Sequence, residues 1–399
     1  MTRRLRRCIP VLIIGGFFLA SLGATPASRT APASAPIAVP QEILVPTANP
    51  PMVNLGYDDR LWSTASDRAN LIQAIDYSLQ YLSTPQAETA YAQYAVPGFT
   101  RDRIQRSLRR LKYLVRVSKT PEAFQQAMLR EFTLYQSVGR DGQGTVDFTG
   151  YFEPIYAASR TPTAEYRYPL YRRPPNLDAW AKPHPTRLEL EGADGLQANQ
   201  GRLAGLELVW LKDRLEAFLV QVQGSAKLKL PDGTLMSVGY AGRTEYPYRS
   251  IGRALVEDGI LPAEGLTLPQ VIAYFRQHPE ALDTYLPQNQ RFIFFKETDG
   301  GSPSGSLRVP VTAGRSIATD KTLMPPGALA LIAVSLPERR ADGTWSSRPI
   351  NRFVLDQDTG GAITGPGRVD LFVGTGPEAG EQAGLINTTG SLYYLLLRE

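Results

Sequence analysis

The sequence predicts a mainly β protein with helical decoration, and a change of pattern along the chain supports this class. Up to about residue 145, apolar residues recur every three or four positions, which indicates amphipathic helices. Beyond that point, short runs rich in β-branched and aromatic residues alternate with turns that contain glycine or proline, which is typical of strands. A chain of 399 residues is long enough for two domains.

The N-terminus has the order of an export signal. The basic stretch MTRRLRR precedes the apolar run Cys8–Leu22, which at about 15 residues is shorter than the roughly 20 that a membrane-spanning helix needs. We expect residues 1–27 to be a signal peptide or, alternatively, a retained N-terminal anchor. Residues 28–52 are rich in alanine and proline, so we expect a linker there and ordered structure from about Val53.

Charge and composition exclude several classes of function. The chain has a net charge of +5, but five arginines and one glutamate within residues 1–52 supply +4 of it, so the remainder gives no case for nucleic-acid binding. The two histidines, His184 and His278, both lie beside proline, which leaves little material for a zinc site or a Ser-His-Asp triad. The single cysteine, Cys8, excludes an intrachain disulfide. We therefore expect no metal and no cofactor.

Apolar periodicity predicts helices in two parts of the chain. Three lie before residue 145, and the third begins at Thr120, an N-cap residue followed by proline. Two more are predicted at about Tyr248–Asp258 and Leu268–Phe275. We interpret the stripes of the first three as core; they are Leu71, Ile75, Leu79 and Leu82, then Ile104, Leu108, Leu111 and Val115, then Phe124, Met128 and Phe132.

Runs of β-forming residues predict strands in the rest of the chain. The turn Pro231–Gly233 joins two of them as a hairpin. The predicted strands are Leu206–Leu211, Ala217–Leu230, Thr234–Tyr240, Arg291–Lys296, Leu307–Val311, Leu329–Ser335, Arg352–Asp358, Val369–Val373 and Leu392–Arg398.

The stretch Phe353–Gly376 is the strongest candidate for a functional site. Asp358 ends its first strand, Asp370 lies inside its second, and a glycine-rich loop that includes Gly361 joins the two strands. Glycine permits a close backbone approach to a neighbour or a ligand. A carboxyl group among aliphatic residues is either paired, solvated on one face, or held protonated for catalysis. From these residues alone, two exposed acids on a strand edge and a catalytic pair both remain open.

The same stretch resembles the C-terminal 3D segment of the membrane-bound lytic murein transglycosylase A family, which is named for three aspartates. Here they are Asp320 in SIATDKTLMPPG, Asp358 in DTGG and Asp370 in RVDLFVG. Other segments resemble that family in the family's order: FTGYFEPIY (Phe148–Tyr156), VQVQGSAKLKLPDG (Val220–Gly233), VGYAGRTEYPYRSIG (Val238–Gly252), FIFFKE (Phe292–Glu297) and VPVTAGRSIATD (Val309–Asp320).

The resemblance implies a fold. It implies a double-psi β-barrel domain made of residues 53–155, with their helices, and residues 288–399. A smaller β-domain at residues 156–287 would be inserted between them, with a groove separating the two. Because Cys8 lies at the start of the apolar run and not after it, the lipid-bearing cysteine of many members is not carried over.

The resemblance also implies a reaction. Such enzymes cut the β-1,4 bond between N-acetylmuramic acid and N-acetylglucosamine of peptidoglycan without water and leave 1,6-anhydromuramic ends. One carboxyl group serves as acid and then as base, so its pKa should lie near neutrality. Asp370, within an apolar strand, suits that role through desolvation. Asp358 would tune it, and Asp320 would shape the site. The expected partner is the glycan strand of peptidoglycan, the expected location is the periplasm, free or held at a membrane by the N-terminus, and a monomer is expected.

The same resemblance implies residues that contact the glycan. Aromatic faces can stack on sugars, and Tyr246 and Tyr248 are further candidates, although aromatic residues in β-domains are more often core. Asp356 has no counterpart in the resemblance, and we expect it to be exposed. The expected contacts are Thr149, Tyr151, Glu153, Gln223, Gly224, Ser225, Tyr240 and Gly361.

Three alternative functions remain open. Asp358-Thr359-Gly360 also spells the motif of aspartic proteases, but two such carboxyl groups are needed, so a protease would require a symmetric dimer. A glycan hydrolase would use two carboxyl groups and water. A catalytically idle module would use the same groove only to hold peptidoglycan.

Overall fold

The structure, a computed structural model, describes residues 42–47, 57–63 and 65–399. The predicted signal or anchor at residues 1–27 lies outside the described residues. Strand β1 (Leu44–Thr47) lies within the predicted linker and pairs with β2 (Phe132–Ser137), so ordered structure begins before Val53 and that expectation is wrong. None of the helices in the described ranges is long and apolar enough to cross a membrane.

The described residues form ten α-helices and fourteen β-strands. The helices are α1 (Ala65–Leu82), α2 (Pro85–Ala92), α3 (Arg101–Val117), α4 (Pro121–Glu131), α5 (Arg187–Glu191), α6 (Arg214–Gln223), α7 (Ile251–Glu257), α8 (Leu268–Gln277), α9 (Leu282–Tyr285) and α10 (Pro377–Leu385). The strands after β2 are β3 (Val146–Glu153), β4 (Ile155–Ser159), β5 (Tyr168–Tyr171), β6 (Glu207–Leu211), β7 (Ser225–Lys229), β8 (Leu235–Arg243), β9 (Ile293–Thr298), β10 (Ser316–Ala318), β11 (Leu329–Arg339), β12 (Trp345–Asp358), β13 (Arg368–Thr375) and β14 (Asn387–Leu397).

Six strands close into a barrel in the order β14, β11, β12, β10, β13, β3 and back to β14. The pairs β10–β12 and β13–β3 are parallel, and the other pairs around the ring are antiparallel. Because the ring closes, it has no free edge. The strands β2 and β1 extend it beyond β14. The predicted mainly β architecture, a barrel plus a second β-sheet, is confirmed.

The helices predicted before residue 145 pack on the strands of the barrel and its extension. Helix α1 packs on β12 and α3 packs on β14, with their apolar stripes in one core. The first four residues of β11, Leu329–Ile332, are all buried, because one face of the strand points into the barrel and the other is covered by helices. Thr120 caps α4 as predicted, since its hydroxyl accepts the Ala123 N–H.

The second sheet has the strand order β5, β6, β4, β7, β8, β9. Strand β4 follows β3 after one residue, Pro154, so the chain passes directly from the barrel into this sheet. It leaves the sheet after β9, which lies beyond the predicted boundary at residue 287 and pairs with β8.

Two of the predicted strands are wrong. Residues 217–223 of the run Ala217–Leu230 belong to α6, because Asp213 caps that helix and Gly224 ends it at φ +81°, leaving β7 for the remainder. The run Leu307–Val311 is a loop with a single bridge between Ser304 and Pro310. A short apolar run does not separate a buried helix from a strand, and proline lacks the N–H that a strand ladder needs.

Candidate active site

The barrel brings the carboxyl groups of Asp358 and Asp370 together across one short strand. Ala318 of β10 is the register partner of Asp358 on one side and of Asp370 on the other. Neighbouring strands lie about 4.8 Å apart, so the two aspartate backbones are separated by about 10 Å. At that separation the charge of Asp358 raises the pKa of Asp370.

Asp370 has an environment that favours its protonated form. Burial raises its pKa from the ordinary 3.8 to about 6; the Thr149 hydrogen bond and the charge of Arg368 oppose this rise, and the charge of Asp358 adds to it. The Thr149 hydroxyl donates to Asp370 Oδ1 at 2.9 Å, and this is the only hydrogen bond that the described residues give the carboxyl group. Asp370 is therefore suited to hold a proton near neutral pH.

Asp358 is held by three donors. Its Oδ1 accepts the backbone N–H groups of Ser306 and Thr359, both at 2.8 Å, and its Oδ2 accepts the Tyr151 hydroxyl at 2.8 Å. Burial still raises the pKa of Asp358, but these hydrogen bonds favour its charged form. Of the two acids, Asp370 has far fewer groups to stabilise a negative charge.

Asp320 shapes the loop that follows Asp358. Its carboxylate accepts the Thr322 N–H and hydroxyl at 3.0 and 2.6 Å, and it accepts the Gly365 N–H at 2.8 Å. Burial raises the pKa of Asp320, but these hydrogen bonds lower it by more, so the net pKa lies below 3.8. Asp320 is thus a fixed anion that ties the β12–β13 loop to the segment after β10.

Asp356 is fully buried, so the expectation that it would be exposed is wrong. Its carboxylate accepts the Tyr394 hydroxyl at 2.7 Å, the Thr319 hydroxyl, and the ammonium group of Lys321. Lys321 also donates to the backbone carbonyl of Asp358. This buried ion pair fixes the end of β12, and Asp358 is the last residue of that strand.

The other predicted residues of β3 lie at or beside the carboxyl pair. Thr149 and Tyr151 contact the pair directly, and the Tyr151 ring lies 5.2 Å from the Phe372 ring between centroids. Glu153 is buried and accepts the Thr375 hydroxyl at 2.8 Å, and burial raises its pKa. These side chains are hydrogen-bonded within the protein, which makes them parts of the framework.

The predicted residues of the second sheet lie further from the pair. Gln223 accepts the Phe152 N–H at 3.1 Å and so joins α6 to β3. Gly224 has a left-handed φ, and no atom lies within 4 Å of the position that a Cβ would take. Ser225 begins β7, and Tyr240 on β8 has 49% of its surface exposed. No hydrogen bond between described residues links Gly224, Ser225 or Tyr240 to the two aspartates.

Three polar residues that sequence reasoning did not identify contact the site or its loop. Arg368 donates to the Thr149 hydroxyl at 3.0 Å; it lies two positions before Asp370, so strand alternation could have placed it on the same face. Lys321 directly follows Asp320, but its contact with Asp358 depends on the closed barrel. Arg291 lies against Gly361, where a Cβ would lie 1.4 Å from its Nη1, and no local pattern predicts this contact.

The described residues offer few other sites. A cavity of about 470 Å³ lies between α2 and the start of α3, lined by residues such as Tyr91 and Asp102, and it contains none of the predicted site residues. The described ranges contain no group of three or more histidine, cysteine or acidic side chains placed to hold a metal ion. The carboxyl pair is therefore the candidate active site.

Family models and curated relatives of this chain agree with one another. The family model "MltA specific insert domain" matches residues 147–296, and the "3D domain" model matches residues 315–396. Membrane-bound lytic murein transglycosylase A of Escherichia coli K12 is 32% identical over 271 residues, which are 67% of this chain and 70% of the relative. The Vibrio cholerae protein of that name is 35% identical over 261 residues, 64% of this chain and 67% of the relative.

Solved structures give the same result. A membrane-bound lytic murein transglycosylase from Agrobacterium tumefaciens has a TM-score of 0.66 at 28% identity, covering 87% of this chain and 97% of that one. E. coli MltA with bound chitohexaose has a TM-score of 0.68 at 26% identity, covering 89% and 95%. The fold, the carboxyl pair and the relatives together define a lytic transglycosylase. The chain belongs to the membrane-bound lytic murein transglycosylase A family.

Proposed function

We propose that this peptidoglycan lytic transglycosylase uses Asp370 as its single acid and base. The bond cut is the β-1,4 bond between N-acetylmuramic acid and N-acetylglucosamine, and the products carry 1,6-anhydromuramic ends. The observation that carries the assignment is the difference between the two acids: Asp370 accepts one hydrogen bond from a hydroxyl, whereas Asp358 accepts three. An acid catalyst needs a proton at the working pH, and a pKa of about 6 provides it.

Asp370 is protonated both at the start and at the end of this reaction. Protonated Asp370 donates to the glycosidic oxygen while the bond from that oxygen to C1 of the muramyl sugar breaks. The resulting carboxylate then accepts the proton of the C6 hydroxyl on the same sugar, and O6 bonds to C1. Asp370 ends as it began, and no water is consumed.

Asp358 affects this proton transfer through its charge. Three hydrogen bonds favour its carboxylate, and that charge raises the pKa of Asp370. A fixed negative charge also stabilises the positive charge that develops at C1 when the glycosidic bond breaks. Asp320 acts indirectly, because its carboxylate accepts the Gly365 N–H and so fixes the loop between the two strands.

The glycan strand lies along the junction between the barrel and the second sheet in this proposal. Open space at Gly224 and the exposed ring of Tyr240 support a path past the second sheet. E. coli MltA has been solved with chitohexaose bound, and its fold is similar. The proposed contacts and supports are Thr149, Tyr151, Glu153, Gln223, Gly224, Ser225, Tyr240 and Gly361.

Domain division and location complete the proposal. Residues 53–155 and 288–399 form the catalytic barrel domain and residues 156–287 the inserted β-domain, with β9 pairing into the insert. The names of the relatives, which are membrane-bound murein transglycosylases, support a location in the cell envelope. We propose export to the periplasm, either free or held at a membrane by the N-terminus, and action as a monomer.

Mass spectrometry of muropeptides released from purified sacculi tests the chemistry. The expected new ends are 1,6-anhydromuramic acid, which is one water lighter than a hydrolytic reducing end. In ¹⁸O-labelled water no label should enter these ends. Asp370→Asn should lower the release by orders of magnitude while glycan binding persists. Label in the ends would indicate a two-carboxyl hydrolase, and binding without turnover by the unmodified chain would indicate an idle binding module.

A further inference from the structure

A group of arginines beside the active site has no acidic partner. Arg291 precedes β9, Arg243 ends β8, and Arg368 begins β13. In the part of the chain that the structure describes, no carboxylate forms an ion pair with any of the three, although most other arginines of the second sheet and barrel are paired. This arginine group therefore presents positive charge that the protein itself does not neutralise.

Arg291 is the most strongly fixed member of the group. Only 7% of its surface is exposed, and its Nε donates to the Tyr246 carbonyl at 2.7 Å. Its Nη1 lies where a side chain at position 361 would be, and neither terminal nitrogen has a hydrogen-bond acceptor among the described residues. Burial, followed by the charge of Arg243, lowers the pKa of Arg291 to about 10, so it remains cationic at neutral pH.

Tyr248 lies near both the arginine group and the proposed catalytic carboxyl group. The side chain of Tyr248 lies within electrostatic range of Arg291, Arg368 and Asp370. Arg368 donates through one terminal nitrogen to Thr149, while its Nε is buried without a partner. The positive charge thus lies on the side of the site where the second sheet meets the β12–β13 loop.

The two terminal nitrogens of Arg291 remain available to a ligand, and a carboxylate is the group whose geometry matches them. The muramyl sugar differs from N-acetylglucosamine by a lactyl group on O3. That group ends in a carboxylate in naked glycan and continues into a peptide with its own carboxylates in peptide-bearing glycan. We propose that Arg291, assisted by Arg243, binds a carboxylate of this muramyl substituent and thereby selects muramyl-containing glycan over glycan built only from N-acetylglucosamine. The assignment rests on the proposed function, because it places the muramyl sugar beside Asp370.

Binding measurements in an Asp370→Asn background test this without turnover. Isothermal titration calorimetry would compare chitohexaose, a naked muramyl-containing oligosaccharide and its peptide-bearing form. We expect the carboxylate-bearing ligands to bind more tightly than chitohexaose. Arg291→Gln should weaken the binding of those ligands by about tenfold, as for one charge-assisted contact, and leave chitohexaose unchanged. The naked and peptide-bearing forms tell whether the lactyl or the peptide carboxylate is bound.

A matched control keeps charge and folding separate from recognition. Arg160→Gln removes the same charge from the second sheet, but Arg160 is half-exposed and paired with Glu297, so the ligand preference should not change. Arg243→Gln alters an exposed side chain and should reduce the preference to a smaller degree even if Arg291→Gln fails to fold. Equal weakening of all three ligands, or no preference for carboxylate in the parent, would overturn the proposal. Release of anhydro ends by the unmodified enzyme would stand in either case, so the two proposals fail separately.

Discussion

The Thr149 hydroxyl lies 2.9 Å from Asp370 Oδ1, and the two residues are direct partners in the parallel pair β3–β13. A hydroxyl can donate to a carboxylate and can rotate to accept from a carboxylic acid. Thr149 can therefore stay in contact with Asp370 in both protonation states and, unlike a backbone N–H or an ammonium group, can accept a hydrogen bond from the protonated acid. The contact fits a residue that gives up a proton and takes it back.

Asp370→Asn should make the folded protein more stable at neutral pH. The pKa of Asp370 is raised in the folded state, so the proton is bound more tightly there, and stability is lost as the pH rises from the ordinary 3.8 through about 6. The loss is at most about 3 kcal/mol. Urea denaturation should give the variant a larger free energy of unfolding than the parent at pH 7, and no such difference at pH 4. Equal stabilities at both pH values would mean that Asp370 is not desolvated.

Thr149→Val should move the alkaline limb of the activity profile to higher pH. The hydroxyl lowers the pKa of Asp370, so its removal should raise that pKa further. The parent should lose kcat/KM as the pH rises through about 6, because the acid loses its proton. Thr149→Ser keeps the hydroxyl and serves as the control. An alkaline limb that stays in place in the valine variant would show that another group carries the proton.

Asp358→Asn should have the opposite effect on the same limb. The charge of Asp358 raises the pKa of Asp370, so an uncharged side chain should move the loss of activity to lower pH. Activity at the new optimum should fall by less than in Asp370→Asn. Muropeptide release measured between pH 4 and 8 checks both statements. If Asp358→Asn is the more damaging change, the roles of the two acids are reversed.

Asp58→Ala should destabilise the fold without a direct effect on catalysis. Asp58 and Arg315 form a fully buried ion pair at 2.5 Å, and the carboxylate also accepts the Phe353 N–H at 2.8 Å. Removing one partner of such a pair costs about 3–5 kcal/mol. Burial raises the pKa of Asp58, but Arg315 lowers it by more, so the net pKa is below 3.8 and this stability is lost as acid protonates the group.

Urea denaturation measures the loss, and an exposed ion pair provides the comparison. Asp102 pairs with Arg106 four residues later on α3, with 74% and 48% of the two side chains exposed. Asp102→Ala should change stability by less than about 1 kcal/mol. A similar small change in Asp58→Ala would mean that the buried pair does not anchor the segment at residues 57–63.

Activity should persist in EDTA. A cation bound to Asp358 or Asp370 would favour the carboxylate and depress its pKa, the reverse of what an acid catalyst needs. Release of anhydro ends should therefore be equal with and without chelator. Activity that is lost in EDTA and restored by Ca²⁺ would contradict the single-acid mechanism.

The strands that carry the two acids could be predicted, but the difference between neighbouring acids could not. Asp356 and Asp358 are two positions apart on β12, so alternation assigns them the same face. What separates them is a set of partners from distant parts of the chain: the ammonium group of Lys321 and the Tyr394 hydroxyl both donate to Asp356, while the Tyr151 hydroxyl donates to Asp358. Such contacts depend on barrel closure, which local pattern does not encode.

Helix and strand could also not be separated where the apolar run was short and buried on several sides. Residues 217–223 carry few polar positions, and the evidence for a helix lies in its flanks, Asp213 as N-cap and Gly224 as C-cap. Arg291 is a further case, because a single arginine before a strand is ordinary. Its meaning comes from Gly361, whose missing side chain leaves room for the guanidinium.

Barrel closure is also required to assemble the candidate active site. Thr149 and Asp370 are 221 residues apart in the chain and meet only when β3 is enclosed between β13 and β14. Under the proposed export, a chain that crosses the membrane with its N-terminus first exposes Thr149 on the far side well before Asp370. We therefore expect wall-degrading activity only after the barrel has closed.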